Sequence, residues 1–181
     1  SVKTAVAEAG LPIEFRMGCE YTYGEQFHSE INAGIARTIA DTDLVLLELP
    51  EKHMPHAIPQ ALFQVGIAGY YPILAHPERC APFQSNWEDL AELASGRALV
   101  QVSFRSLAGT FGRSIRKTAW RLVTEGVADL VATDCHSPRE LKKVVAPVLK
   151  SLRKSLSPAD LDRLMRSFPR SLLEGKGAVS R

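Results

Sequence analysis

Cysteine is scarce in this chain. Its 181 residues hold three, Cys19, Cys80 and Cys135, an odd number at wide spacings with no Cys-x-x-Cys. That excludes a disulfide scaffold and a zinc ribbon and fits a reduced, cytoplasmic setting. Charge of one sign is also lacking. A net charge of +2, with 23% charged residues, is too mild to indicate nucleic acid or an anionic membrane as a partner. No apolar run reaches the roughly 18 residues of a membrane-spanning helix. The opening stretch, Ser1 to Glu8, reads as an ordinary helix and not as a signal peptide. Several catalytic loops are missing: there is no G-x-x-x-x-G-K-[ST], no G-x-G-x-x-G and no G-x-S-x-G, and neither Cys80 nor Cys135 opens a C-x5-R loop. P-loop, dinucleotide-binding, nucleophile-elbow and cysteine-phosphatase chemistry are thereby set aside. Length excludes something too. A full (β/α)8 barrel usually takes about 250 residues, so a single domain over 1–181 can hold only a small or incomplete barrel.

What is present is an ordinary apolar fraction, 45%, arranged in short runs rich in β-branched or small residues. Strands are expected at Ile13–Gly18, Asp43–Leu49, Tyr71–Ala75, Ala98–Val102 and Asp129–Thr133. The nearly continuous Asp43-Leu-Val-Leu-Leu-Glu-Leu reads as a parallel strand covered on both faces. Helical stripes lie between the runs. Ile58, Leu62 and Val65 form one, ended by Gly66 and Gly69. Asn86 can cap a second with Asp89 at its third position, and Gly96 closes it. Ile115, Ala119 and Leu122 form a third, closed by Gly126. Two C-terminal helices follow, Arg139–Leu156 with a kink expected at Pro147, and Pro158–Ser167 capped by Ser157. Strand alternating with helix predicts βαβ units and a parallel sheet.

The polar residues fall at the strand ends. Glu20, Glu48 and His76 are spaced by 28 residues each, and Asp134-Cys-His136 follows about two periods later. In parallel α/β folds the C-terminal strand ends gather at one mouth, which would bring three carboxylates and two imidazoles together. Carboxylate with imidazole suits borderline-to-hard divalent ions such as Mn, Fe or Zn. Each residue also has a plainer reading. Glu48 could pair with an arginine, Asp134 could cap a helix, and His136 could lie on the surface. His28, His53 and His56 fall in loops, and the three cysteines read as packing residues. Arg79 and Arg139 each stand three residues past a candidate ligand and can reach phosphate oxygens bidentately; the alternative for each is a salt bridge to Glu78 or to a ligand carboxylate. Metal ligands and arginines at one mouth point to phosphate-ester hydrolysis. Gly109-Thr-Phe-Gly112 is either an anion-holding loop before a helix or a tight turn.

Gly18-Cys-Glu20-Tyr, Leu47-Glu48-Leu49, Leu74-Ala-His76-Pro-Glu-Arg79, Gln101-Val-Ser, Phe111-Gly112 and Ala132-Thr-Asp134-Cys-His136 occur in order. The chain resembles, over roughly Ala7 to Gly175, the CpsB/CapC-type protein-tyrosine phosphatases of capsule and exopolysaccharide loci, within the polymerase-and-histidinol-phosphatase (PHP) superfamily. The resemblance implies a distorted (βα)7 TIM-like barrel and a centre of two or three divalent ions, usually manganese, with iron, zinc or magnesium as alternatives. It implies hydrolysis of phosphotyrosine on a bacterial tyrosine kinase, with a metal-bound hydroxide as nucleophile. By motif match Glu20, Glu48, His76, Asp134 and His136 would be metal ligands, Arg79 and Arg139 would hold the phosphate, and Tyr21 and Tyr23 would line the entrance or serve in packing. The family's N-terminal His-x-His strand has no match, so the chain is expected to be either a piece of a longer protein or a naturally truncated relative. The strand edges exposed by such a gap favour pairing with a second chain, so a homo-oligomer is one expected assembly. Two other readings stand beside the phosphotyrosine one: a PHP phosphoesterase acting on a small phosphomonoester such as histidinol phosphate, and a non-catalytic relative.

Overall fold

A computed structural model describes residues 2–12 and 14–175. After α1 (Val2–Glu8) come β1 (Glu20–Thr22), α2 (Glu25–Asn32), β2 (Leu44–Glu48), α3 (Ile58–Ile67) and β3 (Tyr71–Ala75). A 3-10 turn, Pro77–Arg79, leads to α4 (Ala81–Ser85), α5 (Glu88–Ala94), β4 (Leu99–Ser103), α6 (Phe104–Ala108), α7 (Arg113–Thr124) and β5 (Leu130–Ala132). The chain ends in α8 (Pro138–Ser155), α9 (Pro158–Asp162), a wide π-turn at Arg163–Ser167, and α10 (Phe168–Leu173). The five strands form one wholly parallel sheet in the order β1-β2-β3-β4-β5. Sequential parallel neighbours joined by helices are the winding expected of βαβ units. Among the described residues no helix is long and apolar enough to cross a membrane.

The period-two alternation sorts the strands onto two faces. Val45, Leu47, Leu74, Val100 and Val102 point into the main core, where Phe27, Leu62, Leu122 and Leu152 of the surrounding helices cover them. Leu44, Ile73, Leu99 and Leu130 point the other way and are covered at the N-terminal end of the sheet by Leu172 and Phe168 of α10. Along that second face β2 and β4 turn polar toward their C-termini. Leu44 and Leu46 give way to Glu48, and Leu99 gives way to Gln101 and Ser103. One end of the inner face is therefore an apolar floor and the other is a site.

Four of the five expected strands lie where the apolar runs place them, within a residue or two. The first does not. Residues 14–18 are mostly exposed and unpaired in the sheet, Ile13 lies outside the described residues, and the strand is Glu20–Thr22. Pairing decided this, not apolar content: Glu20 sits beside Leu46 and Thr22 beside Glu48, while the residues before them form a loop whose Met17 carbonyl accepts the Ala40 N–H. Asn86 does not cap a helix backbone. α5 starts at Glu88, and the Asn86 amide donates instead to Asp89 Oδ1 at 2.6 Å. α8 runs unbroken through Pro147, and the expected second C-terminal helix is divided by the π-turn. Ser137 and Ser157 cap α8 and α9 through their hydroxyls, as short polar side chains do.

Candidate metal centre

The register of β1, β2 and β3 builds the first part of the mouth. Thr22 lies beside Glu48, and Glu48 beside Ala75, so Glu20, Glu48 and the residue after β3 converge. That residue is His76. Its backbone is left-handed (φ +35°, ψ +50°), which costs a non-glycine residue about 1 kcal/mol or more and persists only where the surroundings hold it. Its N–H donates to Gln101 O at 2.8 Å, and its side chain is 5% exposed. The turn aims Nε2 at the two carboxylates, 2.9 Å from Glu20 Oε1 and 3.8 Å from Glu48 Oε1. One ligand atom from each of Glu20, Glu48 and His76 lies within 4.8 Å of the others. Two carboxylates and an imidazole are hard-to-borderline donors, so the set fits a divalent cation of the Mn, Fe or Zn type.

Asp134 and His136 join a neighbouring cluster. Asp134 also has a left-handed backbone (φ +48°). Its carboxylate pairs with Arg79, accepts from Ser103 Oγ at 3.3 Å, and lies 3.8 Å from Arg105. Arg105 also pairs with Glu140 at 3.3 Å and approaches His136 Nδ1 at 3.4 Å. The Arg79 and Arg105 guanidiniums sit 4.2 and 4.8 Å from the centroid of the Phe111 ring, which holds them by cation–π attraction. Beneath them Glu78 is fully buried and accepts the Ser103 N–H at 3.0 Å; burial pushes its carboxyl pKa up, against the pull of that hydrogen bond. Cys80 is likewise buried, and its thiol is pushed up to about 12 by burial and by the Glu78, Glu51 and Glu48 carboxylates.

Of the expected ligands, then, Glu20, Glu48 and His76 come together, while Asp134 and His136 stand in the arginine cluster, with the His136 side chain 71% exposed. Arg79 took the carboxylate partner that was its alternative reading. Arg139, in the first turn of α8, is exposed and has no ion pair among the described residues. The entrance position expected for Tyr21 is corrected. Alternation turns its side chain away from Glu20 into the core, where its hydroxyl donates to Glu30 at 2.6 Å and accepts the Arg37 N–H at 2.8 Å. Arg105 escaped the sequence reading. The signal was its place two residues past the end of β4, where Ser103 caps α6 by accepting the Arg105 N–H.

Fold and site together define a class: parallel α/β proteins that carry a carboxylate–imidazole cluster and paired arginines at the C-terminal strand ends. The family model described as "Capsular polysaccharide synthesis, CpsB/CapC" matches residues 1–174, and the chain belongs to that family. Among curated relatives, the "putative tyrosine-protein phosphatase CapC" of Staphylococcus aureus is 32% identical over 127 residues, 70% of this chain and 50% of the relative. The "tyrosine-protein phosphatase YwqE" of Bacillus subtilis (strain 168) is 31% identical over 116 residues, 62% of this chain and 46% of the relative. The chain thus spans about half the length of these relatives. A crystal structure from a study of YwqE from Bacillus subtilis and CpsB from Streptococcus pneumoniae, called there "unique metal-dependent tyrosine phosphatases", superposes with a TM-score of 0.80 at 23% identity. It covers 99% of this chain and 75% of the other. The parallel α/β fold expected from the motifs is the fold found.

Proposed function

We propose that the chain carries the catalytic face of a metal-dependent protein-tyrosine phosphatase acting on a phosphotyrosine protein, a bacterial tyrosine kinase of polysaccharide production. The observation that supports this most is the adjacency of two unlike groups of residues at one mouth. A carboxylate–imidazole trio stands beside two arginines stacked on Phe111, and the relatives bear tyrosine-phosphatase names. Glu20, Glu48 and His76 would hold one divalent ion, with manganese the ion proposed, and Asp134 and His136 are proposed to extend the set toward a second. When bound, such ions supply an activated water and neutralise charge on the phosphoryl oxygens.

The chain's own residues do the rest. Arg79 and Arg105 present planar forks to the non-bridging oxygens of a phosphate monoester and stabilise the charge that develops there. Phe111 fixes both guanidiniums and offers its ring edge to a tyrosyl ring. Buried Glu78, anchored on the Ser103 N–H, holds the turn that carries Arg79. Arg139, exposed and unpaired among the described residues, is proposed as an outer guide for the substrate. No cysteine is needed as nucleophile: the Cys80 thiol, pushed up to about 12, is inert near neutral pH. The three cysteines are free thiols, which supports a cytoplasmic setting.

Phosphate release from a tyrosine phosphopeptide, followed with manganese and then with a chelator, tests the reading. Manganese-dependent release that falls at least about 100-fold in Arg79→Ala, with little turnover of histidinol phosphate, is expected. Turnover of histidinol phosphate in preference to the phosphopeptide, or release untouched by chelation, overturns it.

A further inference from the structure

The cleft between α7 and α8 plays no part in the site described above. It measures about 500 Å³ and is lined by Arg113, Arg116, Lys117 and Trp120 of α7 and by Ser151 and Ser155 of α8. Three cations line it and no carboxylate does. Among the described residues none of the three takes part in an ion pair. Resting on the phosphatase reading above, we propose that this cleft binds acidic side chains that flank the phosphotyrosine in the substrate polypeptide.

The charge arrangement is unfavourable for the fold alone. Arg113, Arg116 and Lys117 stand at i, i+3 and i+4, where like charges repel. They also lie in the first two turns of a helix that has no acidic residue in its first turn and no side-chain cap, the end where cations are disfavoured. Two other helices show the usual arrangement: α8 has a serine cap with Glu140 in its first turn, and α9 a serine cap with Asp160; α3, α4 and α10 lack cap and acid too, but none of them carries three cations in its first two turns. A local rule broken without internal compensation is expected where a ligand supplies the compensation. Here the missing element is negative charge.

The cleft is also built and connected. Trp120 Nε1 donates to Leu107 O at 3.1 Å, which fixes the indole as a wall. Gly109 has φ +86°, and the Arg116 side chain lies across it, with Cδ 3.1 Å from where a Cβ would stand. Only glycine both takes that backbone and leaves that room. The turn from Gly109 to Gly112 carries Phe111, the ring under Arg79 and Arg105, and Arg113 comes two residues later. A polypeptide with its phosphate at those arginines continues over this turn. On this proposal, residues within about five positions of the phosphotyrosine, at about 3.3 Å per extended residue, would reach Arg113, Arg116 and Lys117, and those positions are the ones to vary.

The test is fluorescence anisotropy with the whole chain and labelled phosphotyrosine peptides bearing either Asp/Glu or Ala at those positions. Tighter binding of the acidic peptide by about tenfold at low salt is expected from three exposed charge pairs, shrinking near 0.3 M salt. Arg113→Glu/Lys117→Glu should abolish the preference and leave the alanine peptide unaffected. The milder Arg116→Gln should reduce the preference in part and guards against misfolding of the double variant. Equal affinity for both peptides overturns the proposal. So does equal weakening of both by the charge reversal, or tighter binding of a single-stranded oligonucleotide of matched charge. An unphosphorylated acidic peptide separates the two readings. Variant-sensitive binding of it with no phosphotyrosine hydrolysis keeps the cleft and removes the enzyme, whereas hydrolysis indifferent to acidic flanks removes the cleft and keeps the enzyme.

Discussion

Glu48→Gln should change stability in opposite directions with and without a divalent ion. Glu20 and Glu48 are brought by the strand register to within 4.8 Å of each other and of His76 Nε2. Their side chains are 39% and 31% exposed, so the effective dielectric is near that of water and their repulsion is worth about 1 kcal/mol. Glutamine keeps the shape and still accepts from Thr22 Oγ1, a long contact of 3.5 Å, so little else is lost. In EDTA at pH 8 the variant should therefore melt about 2–4 °C above the native protein. With manganese the order reverses. Binding at a hundredfold excess over Kd stabilises by about 2.7 kcal/mol, roughly 5–10 °C here, and a set missing one anionic donor should lose most of that gain. Scanning calorimetry in both conditions reads the two signs. A variant that melts lower in EDTA, or that gains as much from manganese as the native chain, refutes the assignment of Glu48 to a metal centre.

Further outcomes follow from the same geometry. Because burial raises the Glu78 pKa, the native state holds that proton more tightly than the unfolded chain does. Its contribution to stability is full below the ordinary carboxyl range and is lost as pH climbs through the raised value. Glu78→Gln should flatten that decline in a series of melts, and an unchanged slope counts against it. With its thiol near 12 and 2% exposed, Cys80 should be the last of the three cysteines to react with a thiol reagent at pH 8; mass mapping that finds it modified first contradicts the burial. Leu74→Ala, emptying a fully buried position on β3, should cost about 2–5 kcal/mol in urea denaturation, and a cost near zero refutes the core described for that face. Manganese and inorganic phosphate should each tighten the binding of the other by one common factor in calorimetric titration. Asp134→Asn should remove the coupling, and equal phosphate affinity with and without manganese in the native chain would dismiss it.

The parts legible in sequence were those set by short-range pattern. The 28-residue spacing of Glu20, Glu48 and His76 brings them together although they stand at different levels: Glu20 opens β1 beside Leu46, Glu48 ends β2 beside Ala75, and His76 follows β3. The second-face gradient from Leu44 to Glu48 is visible once the period of two is read. Two features were beyond that reading. The first strand moved because its position depends on the ladder with β2, and a run such as Ile13–Gly18 carries no record of its partner. Arg105 was missed because it reaches Asp134, Glu140 and Phe111 across separations of up to 35 residues, and because the side-chain direction from α6 follows from the tertiary turn after β4. The same limit explains Tyr21. Adjacency to Glu20 in sequence suggested a shared site, but alternation sends neighbours to opposite faces of the sheet.

The mouth is neutralised pair by pair, and the pairs give its two proposed halves a physical reason to act together. Arg79 and Arg105 share Asp134, and Arg105 also holds Glu140. Two cations and two carboxylates leave little net field for an incoming phosphate dianion, which must compete with Asp134 for the very guanidiniums that suit it. A divalent cation held by Glu20, Glu48 and His76 would compete with the arginines for the Asp134 carboxylate and would so lower the cost of turning them to a phosphate. Asp134 is suited to that exchange. It sits on a strained left-handed backbone and contacts Ser103 and Arg79 on one side and the His136 turn on the other. Its carboxylate therefore has two arginine partners and one rigid mount. On the proposed function, a residue placed so would pass from arginine to metal when the ion binds, and the mouth's two ligands would then bind cooperatively, which the manganese and phosphate titration tests.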